Sequence, residues 1–170
     1  RKKFKSKREE IILDVNKLVK NSDFYQLANW SISPQENLMA FAEDTTGRRE
    51  YKIRIKNLTS SGFLEDTIIG TSGDLAWSLD GKNLFYVLRD PETLLPFKVY
   101  RHELGEKQSK DVLVYEEKDS TFHVSVGNSR SMKFIEINIS STTSSETLFI
   151  DSSNPKEIPQ VIFSREQDHL

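Results

Sequence analysis

Residues 77–114 read WSLDGKNLFYVLRDPETLLPFKVYRHELGEKQSKDVLV. An aromatic residue and a Ser-containing turn, Trp77-Ser78-Leu79-Asp80-Gly81, lead into three apolar runs: Leu84-Phe85-Tyr86-Val87, Phe97-Lys98-Val99-Tyr100 and Asp111-Val112-Leu113-Val114. The same order occurs upstream as Trp30-Ser31-Ile32-Ser33-Pro34, Leu38-Met39-Ala40-Phe41, Tyr51-Lys52-Ile53-Arg54-Ile55 and Asp66-Thr67-Ile68-Ile69. It returns downstream as His123-Val124-Ser125-Val126-Gly127, Phe134-Ile135-Glu136-Ile137, Thr147-Leu148-Phe149-Ile150 and Gln160-Val161-Ile162-Phe163. Apolar residues that alternate with charged ones, as in Tyr51-Lys52-Ile53-Arg54-Ile55, mark half-buried antiparallel strands. Thr46-Gly47, Ser61-Gly62, Asp80-Gly81, Asp90-Pro91 and Asn154-Pro155 supply the turns between runs.

Four strands in a unit of roughly 40–50 residues, repeated, is the signature of a propeller blade. The reading is therefore an all-β chain: a partial β-propeller of about three four-stranded antiparallel blades, at about 29–73, 74–120 and 121–167. A generic β-sandwich would not repeat every run at the same offset. Strands are expected near 38–43, 51–58, 65–70, 84–89, 97–104, 111–116, 133–139, 146–151 and 159–164. Residues 1–28 are expected as a connector with strand and one short helix over 14–20, capped by Asp14 and ended near Asn21-Ser22.

With 24 basic against 26 acidic side chains the chain is nearly neutral, so no global field draws it to nucleic acid or anionic lipid. No apolar run approaches the ~20 residues that span a bilayer. The absence of cysteine excludes disulfides, a thiol nucleophile and thiolate metal sites, and fits a cytoplasmic location. The chain begins at Arg1 and stops just after a strand-like run, as an excised piece would.

Chemistry-bearing residues are scattered. His102, His123 and His169 show no ligand spacing, so neither metal nor cofactor is expected. His123 stands where other units place Trp and is expected to pack, whereas His102 is expected at a surface or interface. Trp30 and Trp77 are expected to fill equivalent gaps between blades. Glu9-Glu10, Glu65-Asp66 and Glu116-Glu117 read as surface charge, because neighbours on a strand point to opposite faces. The basic run Arg1 to Arg8 reads as a solvated connector, and Ser140 to Ser145 as a turn. A nucleophile elbow requires Gly-x-Ser-x-Gly, which is missing; Gly70-Thr71-Ser72-Gly73 is one residue too tight and reads as a turn between the first two blades.

Several segments raise the repeat to a family resemblance: Glu9 to Asn16, Asp44 to Tyr51, Leu88 to Pro96, Val99 to Gly105, Asp111 to Glu117, Ser125 to Ser131 and Ser141 to Glu146. Together they resemble the propeller of the oligopeptidase B branch of the prolyl oligopeptidase family. That resemblance implies a seven-bladed propeller inserted in an α/β-hydrolase that cleaves short peptides after Lys or Arg. The Ser-Asp-His triad would lie in the hydrolase domain, so this chain alone is expected to be inactive and to carry no catalytic residue. The implied partners are that hydrolase domain and, in the intact enzyme, peptide substrates. The hairpins Asp44 to Arg49 and Arg89 to Pro96 are candidates for the interdomain contact. Two readings compete: a gating fragment of a serine oligopeptidase, and a stand-alone interaction module. Apolar blade faces left open by truncation are expected to drive copies of the chain into a homo-oligomer.

Overall fold

A computed structural model describes residues 9–19 and 23–166. The basic run at 1–8, the expected helix end at Asn21-Ser22 and His169 lie outside the described residues. The helix is shorter than expected, α1 at Val15–Leu18, and Asp14 caps it with its backbone carbonyl, which accepts from Lys17, rather than with its side chain.

The strands are β1 (Gln26–Ile32), β2 (Leu38–Asp44), β3 (Tyr51–Asn57), β4 (Phe63–Trp77), β5 (Asn83–Arg89), β6 (Pro96–Glu103), β7 (Val112–Glu116), β8 (His123–Asn128), β9 (Phe134–Ser140), β10 (Ser145–Asp151) and β11 (Gln160–Phe163). They pair antiparallel in chain order, as one sheet β1 to β7 and a second β8 to β11. The first sheet is two four-stranded meanders fused through β4. The first part of β4 pairs with β3 and closes one meander, and its later part pairs with β5 and opens the next. Gly70 (φ 73°) and Gly73 (φ 96°) bend the strand at the handover, so the stretch read as a turn is a kink within a continuous strand.

All nine expected strands are present. The opening strands β1 and β8 and the second half of β4 are missing from that set, because their apolar pattern is broken by Ser, Asn and Gly. The true repeat marker is serine. Ser33, Ser78 and Ser129 each accept, through the hydroxyl, the backbone N–H five residues on: Leu38 (3.1 Å), Asn83 (2.9 Å) and Phe134 (3.1 Å). Each serine carbonyl also accepts from a left-handed residue three positions on, Glu36, Gly81 or Met132.

This register corrects the equivalence drawn between Trp30, Trp77 and His123. Trp77 directly precedes Ser78; its equivalents are Ile32 and Asn128. Trp77 is fully buried against the first meander, whereas Trp30, paired with Phe41 across β1 and β2, is 54% exposed. His123 is exposed, and its neighbours Phe122 and Val124 take the core positions.

Three apolar layers follow from strand parity. Met39 and Phe41 face Ile12, Leu13 and Leu18. Ala40, Ile53, Ile55 and Ile68 face Leu75, Trp77, Leu84 and Tyr86 of the second meander. Phe85, Val87 and Val99 then face Val124, Ile135, Ile137 and Ile139 of the third. Hence β2, covered on both sides, is buried throughout, whereas β9 alternates and leaves Phe134, Glu136 and Asn138 on an open face. Each Val, Leu, Ile, Phe or Met among them contributes ~1.5–3 kcal/mol when fully buried.

Candidate functional site

Two assemblies stand out. The first is the end of the meanders where the β2–β3 and β5–β6 hairpins lie. Asp44 ends β2 fully buried, and its carboxylate accepts from Thr46 N (2.7 Å), Thr46 Oγ1 (2.8 Å), Gly47 N (3.1 Å) and Arg49 N (2.8 Å). Burial pushes this carboxyl's pKa up, but those hydrogen bonds outweigh it and hold it below the ordinary value. The result is a rigid hairpin in which Arg49 is left-handed (φ 60°). Asp90 organises the second hairpin in the same manner, accepting from Glu92 N and Thr93 N, and Leu94 is left-handed there (φ 62°). Arg89 ties the hairpins together: one guanidinium N–H donates to the Arg49 carbonyl at 2.8 Å.

The second assembly lies between the first two meanders. His102, expected at a surface or interface, is fully buried, although it does stand at the junction of the two meanders. Its Nδ1 lies 2.7 Å from Asp111 Oδ1 and its Nε2 3.1 Å from Asp66 Oδ1. Asp66 also accepts from Gly105 N (2.6 Å), and Asp111 from the Tyr86 hydroxyl (2.8 Å). A neutral imidazole has one N–H and cannot donate to both carboxylates, so this geometry fits the imidazolium. Burial lowers the His102 pKa, but the hydrogen bonds and charges of Asp111 and Asp66 outweigh that and leave it raised. Burial and the adjacent Asp111 charge also push the Tyr86 hydroxyl up. With both ring nitrogens engaged, no lone pair is left for a metal or a reacting proton, so the cluster is a clamp. Gln108 reinforces it, pairing with both backbone groups of Ile69 at 3.0 Å.

Glu9 and Glu10 are both exposed, but the other two acidic pairs divide as strand parity demands and are not all surface charge. Glu65 is exposed while Asp66 is buried; Glu116 is exposed while Glu117 is buried against Arg165 (2.5 Å) and Tyr115 (2.9 Å). One signal for the clamp exists in the sequence: Asp66 and Asp111 open the corresponding last run of successive units. Ser140 to Ser145 forms the β9–β10 turn, as expected.

The matching meanders agree with comparison to known proteins. Residues 1–170 match the family described as prolyl oligopeptidase, N-terminal beta-propeller domain. The chain belongs to the prolyl oligopeptidase family. Its propeller is 44% identical over 160 residues to dipeptidyl aminopeptidase BI of Pseudoxanthomonas mexicana, covering 94% of this chain and 22% of that protein. It is 33% identical over 159 residues to Protease 2 of Moraxella lacunata, covering 92% and 23%. Among solved structures, oligopeptidase B from Leishmania major superposes with a TM-score of 0.86 at 30% identity, covering 94% of this chain and 22% of that one. Oligopeptidase B from Trypanosoma brucei gives 0.85 at 28%, covering 99% and 23%. The propeller segment thus spans under a quarter of the length of the relatives it matches. No described helix is long and apolar enough to cross a membrane.

Proposed function

We propose that this propeller segment is the gate of a cytoplasmic serine oligopeptidase of the oligopeptidase B kind, which cleaves short peptides after Lys or Arg. The match of the entire chain to the propeller family carries the reading. The likeness to Protease 2 and to the two oligopeptidase B structures favours the basic-residue branch. The nucleophile, base and orienting acid belong to an α/β-hydrolase domain outside this chain, and the propeller contributes shape: a narrow passage admits an extended peptide and excludes a folded domain. The Asp44- and Asp90-braced hairpins suit docking against that domain, because rigid loops lose little entropy on contact. Interdomain interfaces of this kind open and close as transient ones do.

The whole protein should be assayed on fluorogenic peptides with Arg, Lys or Pro before the scissile bond, with the 170-residue chain in parallel. Cleavage after Arg and Lys by the whole protein and none by the chain is expected. Preference for Pro, or activity of the chain abolished by mutating one of its own serines, refutes the proposal.

A further inference from the structure

Between β1 and the bend of β4, beside the two hairpins, lies a cavity of 420 Å³ lined by Gln26, Asn29, Arg49, Ser72, Asp74 and Arg89, among others. We propose that this cavity binds a carboxylate, and that its ligand is the C-terminal carboxylate of a short peptide. The choice of a peptide rests on the reading as a peptidase propeller; the charge argument does not.

Two guanidinium groups line this cavity, and neither forms an ion pair among the described residues. Arg89 is held in place by its bond to the Arg49 carbonyl and by the Tyr51 ring, whose centre lies 5.7 Å from the guanidinium carbon. Its Nε–H is buried and has no acceptor among the described residues, an omission that native structures rarely leave without a role. The Arg49 backbone is fixed by Asp44 in a left-handed conformation that is strained for a non-glycine residue, and such strain gathers at functional positions. The cavity therefore sets two arginines against the single carboxylate of Asp74, an excess of positive charge of which the Arg89 guanidinium is positioned in advance.

Position and sign narrow the ligand. The first strands of successive meanders are linked directly: Trp77 Nε1 donates to the Ser31 carbonyl (3.2 Å), and the Asn128 amide pairs with both the N–H and the C=O of Trp77 (2.8 Å each). These strands converge toward the propeller axis, so a cavity between β1 and β4 lies on the side a threading peptide would pass. Asp74 shares the wall, its carboxylate accepting from Ser72 Oγ at 2.5 Å instead of from an arginine. It disfavours a dianion such as phosphate, while it and the Asn29 and Gln26 amides can accept from peptide N–H groups. A planar carboxylate, in contrast, matches the guanidinium fork.

The test titrates the full chain with N-acetyl-trialanine and with the same peptide as its C-terminal amide, by isothermal calorimetry at low salt. Saturable binding of the acid, weakened about tenfold or more for the amide, is expected. Arg49→Gln, at an exposed side chain, should weaken the acid by a similar factor without changing the melting temperature, whereas Arg89→Gln should weaken the acid and also lower the melting temperature, because it unties the two hairpins. Inorganic phosphate should compete poorly. Equal binding of acid and amide, no saturable binding of either, tighter binding of phosphate, or an Arg49→Gln variant that binds the acid as the parent does overturns the proposal. Because the readout is binding, failure of the Lys/Arg cleavage assay leaves this result standing, and the reverse.

Discussion

Replacing His102 by Gln should destabilise the propeller most at mildly acidic pH. The side chain is fully buried and holds two carboxylates, Asp66 and Asp111, that are themselves almost completely buried. The introduced amide would keep one donor group and lose the positive charge, leaving two buried anions without their cation. Removing one member of a buried ion pair costs ~3–5 kcal/mol. For a chain of this length each kcal/mol moves the melting temperature ~2–4 °C, so the variant should melt roughly 6–20 °C lower. The pH dependence has a definite sign. The His102 pKa is raised on folding, so its contribution is complete below the unfolded value of about 6.5 and is lost as pH rises through the raised folded value. The gap between parent and variant should be widest near pH 6 and narrow toward pH 9. Urea denaturation followed by circular dichroism at both values measures it. A variant within about 1 kcal/mol of the parent at pH 6, or a gap that widens with pH, would show that the imidazolium clamp is misread.

Asp44→Ala, which removes four hydrogen bonds from the β2–β3 hairpin, should cost about 1–3 kcal/mol in denaturant melts, with Asp44→Asn costing less because it keeps an acceptor. Trp77→Ala should cost about 3–5 kcal/mol and Trp30→Ala under about 1, and the emission of a Trp30→Phe variant, which leaves Trp77, should be blue-shifted relative to that of Trp77→Phe. The open face bearing Phe134 and the exposed strand β11, with Val161, Ile162 and Phe163, should drive self-association of the isolated chain, seen as concentration-dependent mass in light scattering; a monodisperse monomer at high concentration counts against it.

Strands whose apolar pattern is strong are readable from sequence to within a few residues, as β2, β5 and β10 show. The opening strands are not, since β1 and β8 carry Asn, Ser and Gly where an apolar alternation would mark a strand. Trp30 and Trp77 look alike in sequence because each is followed by Ser; only the turn hydrogen bonds of Ser33 and Ser78 reveal that they stand two positions out of register. His102 is misplaced by sequence reasoning for a different reason. Its flanking Arg101 and Glu103 suggest solvent, while its burial depends on Asp66, 36 residues earlier, which no local pattern reports. Arg49 and Arg89 fall inside the hairpins chosen as interdomain candidates, but the cavity they share depends on the β4 bend.

Gating is the central claim, and it is tested most directly by comparing cleavage of one Arg-containing sequence in three settings by the whole protein: a short peptide, a longer flexible peptide, and the same sequence in an exposed loop of a folded domain. The account predicts that kcat/KM falls with length and that the folded domain survives intact. Cleavage of the folded domain at a kcat/KM comparable to that of the short peptide would contradict it.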